Sequence, residues 1–438
     1  MDWSSVPVEE WFRDGISLAS LRSLRRFLVE RGTFEFPRLE NGLFGAAAGE
    51  GADFEASGYR SVWVRDNVQI AWAHMVAVED RSIPVACMRS LAEFYRRYRW
   101  RFVEIVEGRA DYREPMNRPH IRFSGVDLSE LPEKWAHAQN DALGYFLWLT
   151  CRLVSEGALA VSEVDWDILS LLVRYWMRVE VWQDEDSGHW EEVRKVSASS
   201  LGCVTAGLRE LRGLLERGDV IAQMRGSEYG AGVGELEELL ECCRGAMWGI
   251  LPSECVQAEK EKRRRFDGAL LFLIYPLDVI CDRRMEDEIL GDVRRELRGP
   301  NGIRRYLGDS YWCADYRDLL SADQRTADFS DSLGVRDQLL KPGMEAQWCI
   351  FDPIVSCIYG RRYLDGGSEV DFALQQESFQ RSLQQMTQPG GRFPAFRCPE
   401  SWFCEHGEWI PNDITPLLWT QGNLLQAFRW MEQSLLQR

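Results

Sequence analysis

Three short segments set a carboxylate close to an indole: Trp63–Asp66, Trp190–Glu192 and Glu400–Trp402. A carboxyl group held against an indole is partly withdrawn from water, which raises its pKa and suits it to donate a proton near neutrality. Glu191, directly after Trp190 and a turn signalled by Ser187-Gly188, has that pattern. Two solvated glutamates ahead of a helix would give the same letters. Trp63, Arg65 and Asp66 combine a flat apolar face, a fork of donors and an acceptor within four residues. Such a set could grip a polyhydroxylated ring. The plainer alternative is an Asp favoured by a helix N-terminus, with Arg paired locally.

Further along, Trp135, His137, Gln139 and Asp141 lead into an apolar run, Ala142–Cys151. Polar residues that open a buried helix must face something polar at its mouth, unless Asp141 simply caps it. Glu400 lies in a Pro-bounded loop between Phe396 and Trp402, and Arg304, Arg305, Tyr306, Asp309 and Tyr311 are close together. Trp419 and Gln421 fall early in the C-terminal helical pattern. These segments share carboxylate, arginine and tryptophan at loop-to-helix junctions. Two separated carboxylates with aromatic walls are the minimal equipment for glycoside hydrolysis.

The elements that must position these residues read as helices. Leu21, Leu24, Phe27 and Leu28, then Val204, Leu208, Leu211 and Leu215, then Leu236, Leu239, Leu240, Cys243 and Met247 recur at helical spacing with charged residues between. Ala142–Cys151 and Asp267–Leu277 are apolar on nearly every side, so they must be covered by other helices. About eleven to thirteen helices in an inner and an outer set are expected, with no sheet of consequence. Long polar or Gly-rich stretches interrupt them at Gly45–Gly58, Asn117–Leu131, Arg298–Gly343 and Gln388–Glu400, and loops of that length are usually functional. Composition does not shift across them, so one domain over 1–438 is expected, with 1–58 as an N-terminal helix and loop leading into the body.

Composition narrows the partners. The 438 residues carry 52 Lys and Arg against 69 Asp and Glu, a net charge of -17. That balance excludes a basic nucleic-acid footprint and disfavours an anionic membrane surface. No apolar run approaches the roughly 20 residues of a membrane span. The acidic stretch Met1–Gly15 does not read as a secretory signal, and twelve scattered cysteines without a C-x-x-C pair suggest reduced thiols. A cytoplasmic protein is the expectation. His74, His120, His137, His189 and His406 show no metal-binding spacing, and Cys398, Cys404 and His406 lack an obvious fourth ligand. Phosphate-loop, dinucleotide and nucleophile-elbow motifs are missing. The 18 Trp suit either sugar-binding walls or filler for a large helical core.

In order, Trp63–Asp66 (W-V-R-D), Trp135–Asp141 (W-x-H-x-Q-x-D), Trp190–Glu192 (W-E-E), Arg305–Tyr311 (R-Y-x-x-D-x-Y), Pro399-Glu400 and Pro416–Gln421 (P-x-x-W-x-Q) resemble glycoside hydrolase family 15, the glucoamylase family. That family includes the related domain of the phosphorylase kinase alpha and beta subunits. The resemblance runs from about Tyr59 to Ala427 and implies an all-α (α/α)6 barrel with its site at one mouth. It implies Glu191 as general acid, Glu400 as general base, and Arg65 and Asp66 on the hydroxyls of a terminal glucose. It adds Arg305 to the site and makes Trp63, Trp135 and Trp190 its walls. Gln139, Asp141, Glu192 and Trp419 join the expected substrate-binding set. Where family hydrolases carry W-G-R-P-Q-N-D, this chain has His137 and Ala138 in place of Arg and Pro, closer to the phosphorylase-kinase-like branch. The implied activity is inverting, exo-acting hydrolysis of a small α-glucoside or short glucan, without cofactor or metal. The alternative it leaves is a non-catalytic glucan-binding or regulatory domain.

Overall fold

The computed structural model describes residues 3, 7–12, 15–49, 52–78, 80–328, 330–331, 334–338 and 340–438. Of the seventeen α-helices among the described residues, more than the expected eleven to thirteen because short helices form in the connections, twelve alternate between an outer and an inner ring, beginning with α1 (Leu18–Glu30), α2 (Val64–Ala77), α3 (Ser82–Arg97) and α4 (Asn140–Ser155). They continue as α5 (Trp166–Arg178), α6 (Ala198–Leu214), α7 (Val233–Ile250) and α8 (Leu271–Ile274). The last four are α9 (Arg283–Asp292), α10 (Phe351–Leu364), α11 (Glu369–Gln384) and α12 (Leu418–Gln437). The even-numbered helices close a ring: α2 packs on α4, α4 on α6, α6 on α8, α8 on α10, α10 on α12, and α12 back on α2. The odd-numbered helices surround them. This is the (α/α)6 barrel.

Sequence separates the two rings. Every residue of α2 except Val76 is buried, and in α4 only Arg152 and Ser155 escape burial. In outer α3 and α7 the buried residues recur every three or four positions, as in Leu236, Leu239, Cys243 and Met247, and the opposite faces meet solvent. Val204, Leu208 and Leu211 belong to an inner helix instead: α6 is buried throughout from Ala198 to Leu208, and Arg209, Glu210 and Arg212 cluster at its far end. α4 and α6 cross closely at glycines. A Cβ on Gly144 would lie 2.5 Å from the Cys203 carbonyl carbon, and one on Gly207 3.0 Å from the Gly144 oxygen.

The apolar segment Asp267–Leu277 departs from expectation. It forms a 3-10 turn, Gly268–Leu270, and the single turn of α8. Asp267 caps the start through Ala269 N–H, and Tyr275, immediately before Pro276, is extended at φ -147. A residue before proline is driven out of the helical region, and proline offers no N–H to continue.

Short strands sit at the mouth of the barrel. β1 (Val62–Trp63) pairs with β2 (Arg122–Phe123), setting Trp63 opposite Arg122. β3 (Gln347–Trp348), β4 (Ser401–Glu405) and β5 (Glu408–Pro411) form a second small antiparallel sheet. Glu50 and Gly51 in the Gly45–Gly58 stretch, and positions 329, 332, 333 and 339 in the Arg298–Gly343 stretch, lie outside the described residues. Among the described residues no helix is long and apolar enough to cross a membrane.

Candidate active site

The site lies where the inner helices begin. Arg65 and Asp66 occupy the first turn of α2, Trp190 and Glu191 precede α6, Trp348 precedes α10, and Trp419 lies in the first turn of α12. Helix N-termini carry partial positive charge, so a mouth built from them suits carboxylates and hydroxyl oxygens. Trp63, Arg65, Asp66, Trp135, Trp190, Glu191, Arg305, Glu400 and Trp419 line one cavity, joined by Tyr59, His189, Tyr311 and Trp348. Glu191 and Glu400, 209 positions apart in sequence (400 - 191), therefore share a single pocket. Other tryptophans are filler: Trp148, Trp176 and Trp312 are fully buried in the body. Both uses of this residue occur in one chain.

Glu191 ends the 3-10 turn Gly188–Trp190 in the left-handed region, at φ 52 and ψ 45. A non-glycine residue adopts that conformation at a cost that surrounding contacts must offset, and such residues concentrate at functional sites. Here the Trp190 indole N–H is tied to Asp267 Oδ1 at 2.9 Å, and Glu191 Oε1 accepts from Arg65 Nη2. Burial raises the Glu191 pKa to about 7, overriding the opposite pull of Arg65.

Glu400 is held differently. Its backbone N–H donates to the Ile414 carbonyl and its carbonyl accepts from Cys349 N–H, both at 2.9 Å. Oε1 accepts from Tyr59 Oη at 2.6 Å and Oε2 from Asn412 Nδ2 at 2.6 Å. Both oxygens thus act as acceptors, which suits the ionised form. Burial still lifts the pKa to about 7, with Tyr59 and Asn412 pulling it down. Asp66 is raised to about 6 by burial, opposed by Arg65.

Arg65 does not pair locally. Nη1 donates to Gln139 Oε1 at 3.1 Å and to Asp141 Oδ2 at 2.9 Å, while Nη2 reaches Glu191. Gln139, Asp141 and Glu192, expected to bind substrate, do not line the cavity. Gln139 and Asp141 stand behind Arg65 and fix its guanidinium. Asp141 is not a cap either: Gln139 holds the N-cap position of α4, and Asp186 Oδ2 accepts from Asn140 N–H at 2.8 Å. Glu192 is fully buried and faces away from Glu191, accepting from Arg264 Nη2 at 2.9 Å and from the Tyr306 hydroxyl. Consecutive side chains point to different sides of a turn, so only one of the two glutamates can face the cavity.

Arg305 is bidentate to Asp309, at 2.7 Å for both bonds. Its guanidinium sits among aromatic rings, 4.7 Å from the Trp348 centroid, 5.0 Å from Tyr311 and 5.2 Å from Trp190. His137 does not reach the cavity; its ring stacks on His120 at 3.6 Å and 11°. Burial holds His120 at about 4 and His137 lower than the usual histidine value. Among the described residues no cluster of three His, Cys, Asp or Glu is placed to hold a metal ion. Tyr59, Trp348 and Asn412 were not anticipated. Tyr59 begins the segment that carries Trp63 and Arg65, whereas nothing near Trp348 or Asn412 marks them in the sequence.

Comparison with known proteins follows the same line. The sequence model of Glycosyl hydrolases family 15 matches residues 36–273. A stretch of 150 residues is 29% identical to the uncharacterized lipoprotein YgeQ of Escherichia coli (strain K12), covering 30% of this chain and 55% of that protein. The match thus spans about half the length of the curated relative. Two variants of a glycosidase, one solved in complex with glucose, superpose with TM-scores of 0.65 and 0.64 at 16% identity, over 94% of this chain and 97% of theirs. Glucoamylase from Saccharomycopsis fibuligera gives 0.56 at 12% identity over 95% of each chain. A bacterial glucoamylase complexed with acarbose gives 0.54 at 12% identity, over 90% of this chain and 53% of that one. At these identities the structural likenesses concern the fold.

Proposed function

The chain belongs to glycosyl hydrolases family 15, and from that premise we propose that it is an inverting, exo-acting α-glucoside hydrolase with Glu191 as general acid and Glu400 as general base. The observation that carries this reading is the convergence of two carboxyls, Glu400 buried and Glu191 partly exposed, in one aromatic cavity, each with its own set of partners. Relatives in fold have been solved with glucose and with acarbose, and the same ligand class, a small α-glucoside or short glucan, is proposed here.

In this mechanism a terminal sugar enters between Trp63, Trp135 and Trp419, with its hydroxyls against Arg65 and Asp66. Protonated Glu191 donates to the glycosidic oxygen as the bond breaks. Ionised Glu400, steered by Tyr59 and Asn412, takes a proton from a water molecule attacking the anomeric carbon from the opposite face. The proton lost by the acid passes to the leaving group, and the one gained by the base comes from water. Inversion needs room for that water, about 6.5–9.5 Å between the carboxyls. Arg305 among its aromatic rings supplies a fixed positive charge beside the reacting centre.

The test is a panel of maltose, isomaltose, trehalose and short dextrins, following release of β-glucose. Wild-type protein should release the inverted sugar from at least one of them, and Glu191→Gln should abolish turnover while sugar binding survives. Binding across the panel without product would replace this reading with the glucan-binding one. Release of α-glucose would overturn inversion.

A further inference from the structure

The long 298–343 stretch reaches the cavity twice. Arg305 and Tyr311 enter it early, and Thr326 and Ala327 line it further on. Exposure sorts the lining. Ala327 is exposed, Tyr59, Glu191 and Thr326 are half-buried, and every other lining residue is buried. A cavity with walls so covered opens where its exposed residue stands, so Thr326 and Ala327 belong to its rim. The two carboxyls follow the same gradient, since the Glu400 side chain is buried and that of Glu191 is 18% exposed. Arg65 and Asp66, both buried, mark the inner end. A terminal sugar seated there must leave the rest of its glucoside at the rim.

One buried carboxylate ties the rim down. Asp413 gathers three arginines: Oδ1 accepts from Arg392 Nη1 and from Arg317 Nη1 at 3.4 Å, and Oδ2 accepts from Arg325 Nη1 at 3.1 Å. Arg325 directly precedes Thr326 and is held by side chain and backbone alike. Its Nε donates to the Leu320 carbonyl at 3.1 Å and its Nη2 to the Arg317 carbonyl at 3.3 Å, while its own carbonyl accepts from Tyr316 Oη at 3.0 Å. Arg317, in the helical turn Tyr316–Leu319, donates through Nε and Nη2 to Glu405 on β4. On the other side of the node, Asn412 donates to Glu400, and the Ile414 carbonyl accepts from Glu400 N–H. Rim and general base therefore hang on the same short segment, 412–414. A connection with little regular structure loses conformational entropy when it is fixed, and charge-assisted bonds on a buried acceptor offset that loss.

We infer that Asp413 is a positioning residue that determines specificity: through Arg325 it fixes Thr326 and Ala327 across the leaving-group side of the cavity, so that short glucosides are accepted and long glucans are turned away. This rests on the proposed hydrolysis, in which the sugar that is cleaved occupies the inner end. Removing one member of a buried charge cluster leaves its partners uncompensated. Without the Asp413 carboxylate, Arg325 and Arg392 lose a shared counter-ion and Thr326 loses its anchor, which widens the rim.

Disaccharides and their heptasaccharide homologues test it: maltose against maltoheptaose, and isomaltose against isomaltoheptaose. The wild-type chain should favour the disaccharide by about tenfold or more in kcat/KM, a discrimination within reach of a shaped pocket. In Asp413→Asn the ratio should fall toward one, chiefly through a lower KM for the longer sugar. Asp413→Glu, which keeps the charge, should retain part of the preference. Arg325→Gln frees the same rim without altering the segment beside Glu400 and should give the same fall; it decides the outcome if Asp413→Asn does not fold. A merely structural role would lower kcat/KM for both members of a pair alike. Amide hydrogen exchange over residues 321–327 should quicken in both variants, and unchanged exchange there would overturn the anchoring. The same pairs read as Kd on Glu191→Gln protein do not depend on turnover. A length ratio equal in wild type and variants, or a wild-type preference for the heptasaccharide, overturns the rim assignment and leaves the hydrolase reading standing. A Kd ratio that the variants abolish, without cleavage by the wild type, overturns the hydrolase reading alone. Binding of none of the four sugars overturns both.

Discussion

The Tyr59 hydroxyl donates a 2.6 Å hydrogen bond to Glu400 Oε1, joining the loop before the first inner helix to the loop before the last. The same hydroxyl lies 3.0 Å from the Tyr311 hydroxyl, so a short phenolic chain ends on the carboxylate. A donor of this kind stabilises the charged form and fixes which lone pair remains for water. Tyr59→Phe should raise the Glu400 pKa, move the acidic limb of kcat/KM to higher pH, and lower kcat by about tenfold or more, in line with a lost hydrogen bond to a charged group. A pH–rate profile of the variant beside the wild type reads both effects.

Glu191 and Glu400 are each raised to about 7, in both cases chiefly by burial. Activity requires the first protonated and the second ionised. Below the shared range Glu400 gains a proton and loses its role as base; above it Glu191 loses the proton it must donate. The profile of kcat/KM should therefore be a bell peaking near neutrality, with apparent pKa values that belong to the pair. Burial raises the Glu191 pKa and the Arg65 guanidinium pulls it back down. Arg65→Gln should then shift the alkaline limb upward as it weakens sugar binding. An unmoved alkaline limb would separate Glu191 from that limb.

Arg305 depends on Asp309 for both of its 2.7 Å bonds. Both residues are buried. Asp309→Asn keeps the shape and removes the charge, leaving the guanidinium among aromatic rings with Glu192 Oε1 at 3.6 Å as its nearest remaining carboxylate. Breaking a buried pair from one side costs about 3–5 kcal/mol, and denaturant unfolding should show a loss approaching that range. KM for the glucoside should rise as Arg305 shifts.

Two glycines in the inner ring should answer oppositely to alanine. At Gly144 a Cβ would meet the Cys203 carbonyl carbon at 2.5 Å and the Val204 nitrogen at 2.7 Å. Backbone cannot yield as a side chain can, so Gly144→Ala should destabilise by about 1–3 kcal/mol or more through overpacking. Gly213 lies near the end of α6 with nothing within 4 Å. There Gly213→Ala should gain about 0.5–1 kcal/mol from helix propensity and lower unfolded-state entropy. Thermal or denaturant melts of the two variants should move in opposite directions.

The alternation of one-sided and all-round apolar segments was legible in the sequence, because burial of helices is written at 3.6-residue spacing, as in Leu236–Met247 and Ala142–Cys151. The pairing of indoles with carboxylates was equally visible, and Trp63, Arg65, Asp66, Trp135, Trp190, Glu191, Arg305, Glu400 and Trp419 do meet at one cavity. What local patterns cannot carry is direction. Glu191 and Glu192 are the same residue type side by side, and only the left-handed turn at Glu191 sends one toward the cavity and the other into the Arg264–Tyr306 network. Gln139 and Asp141 read as ligands because they are polar at a helix mouth, yet Arg65 intervenes and claims them. Tyr59 gains its place through a contact with Glu400 made across 341 positions, and Trp348 and Asn412 gain theirs through a strand pairing and a hydrogen bond that no local pattern marks. Periodicity is a property of consecutive residues and survives in the sequence; the partner of a side chain is a property of ring closure, and exists only after α12 has packed back against α2.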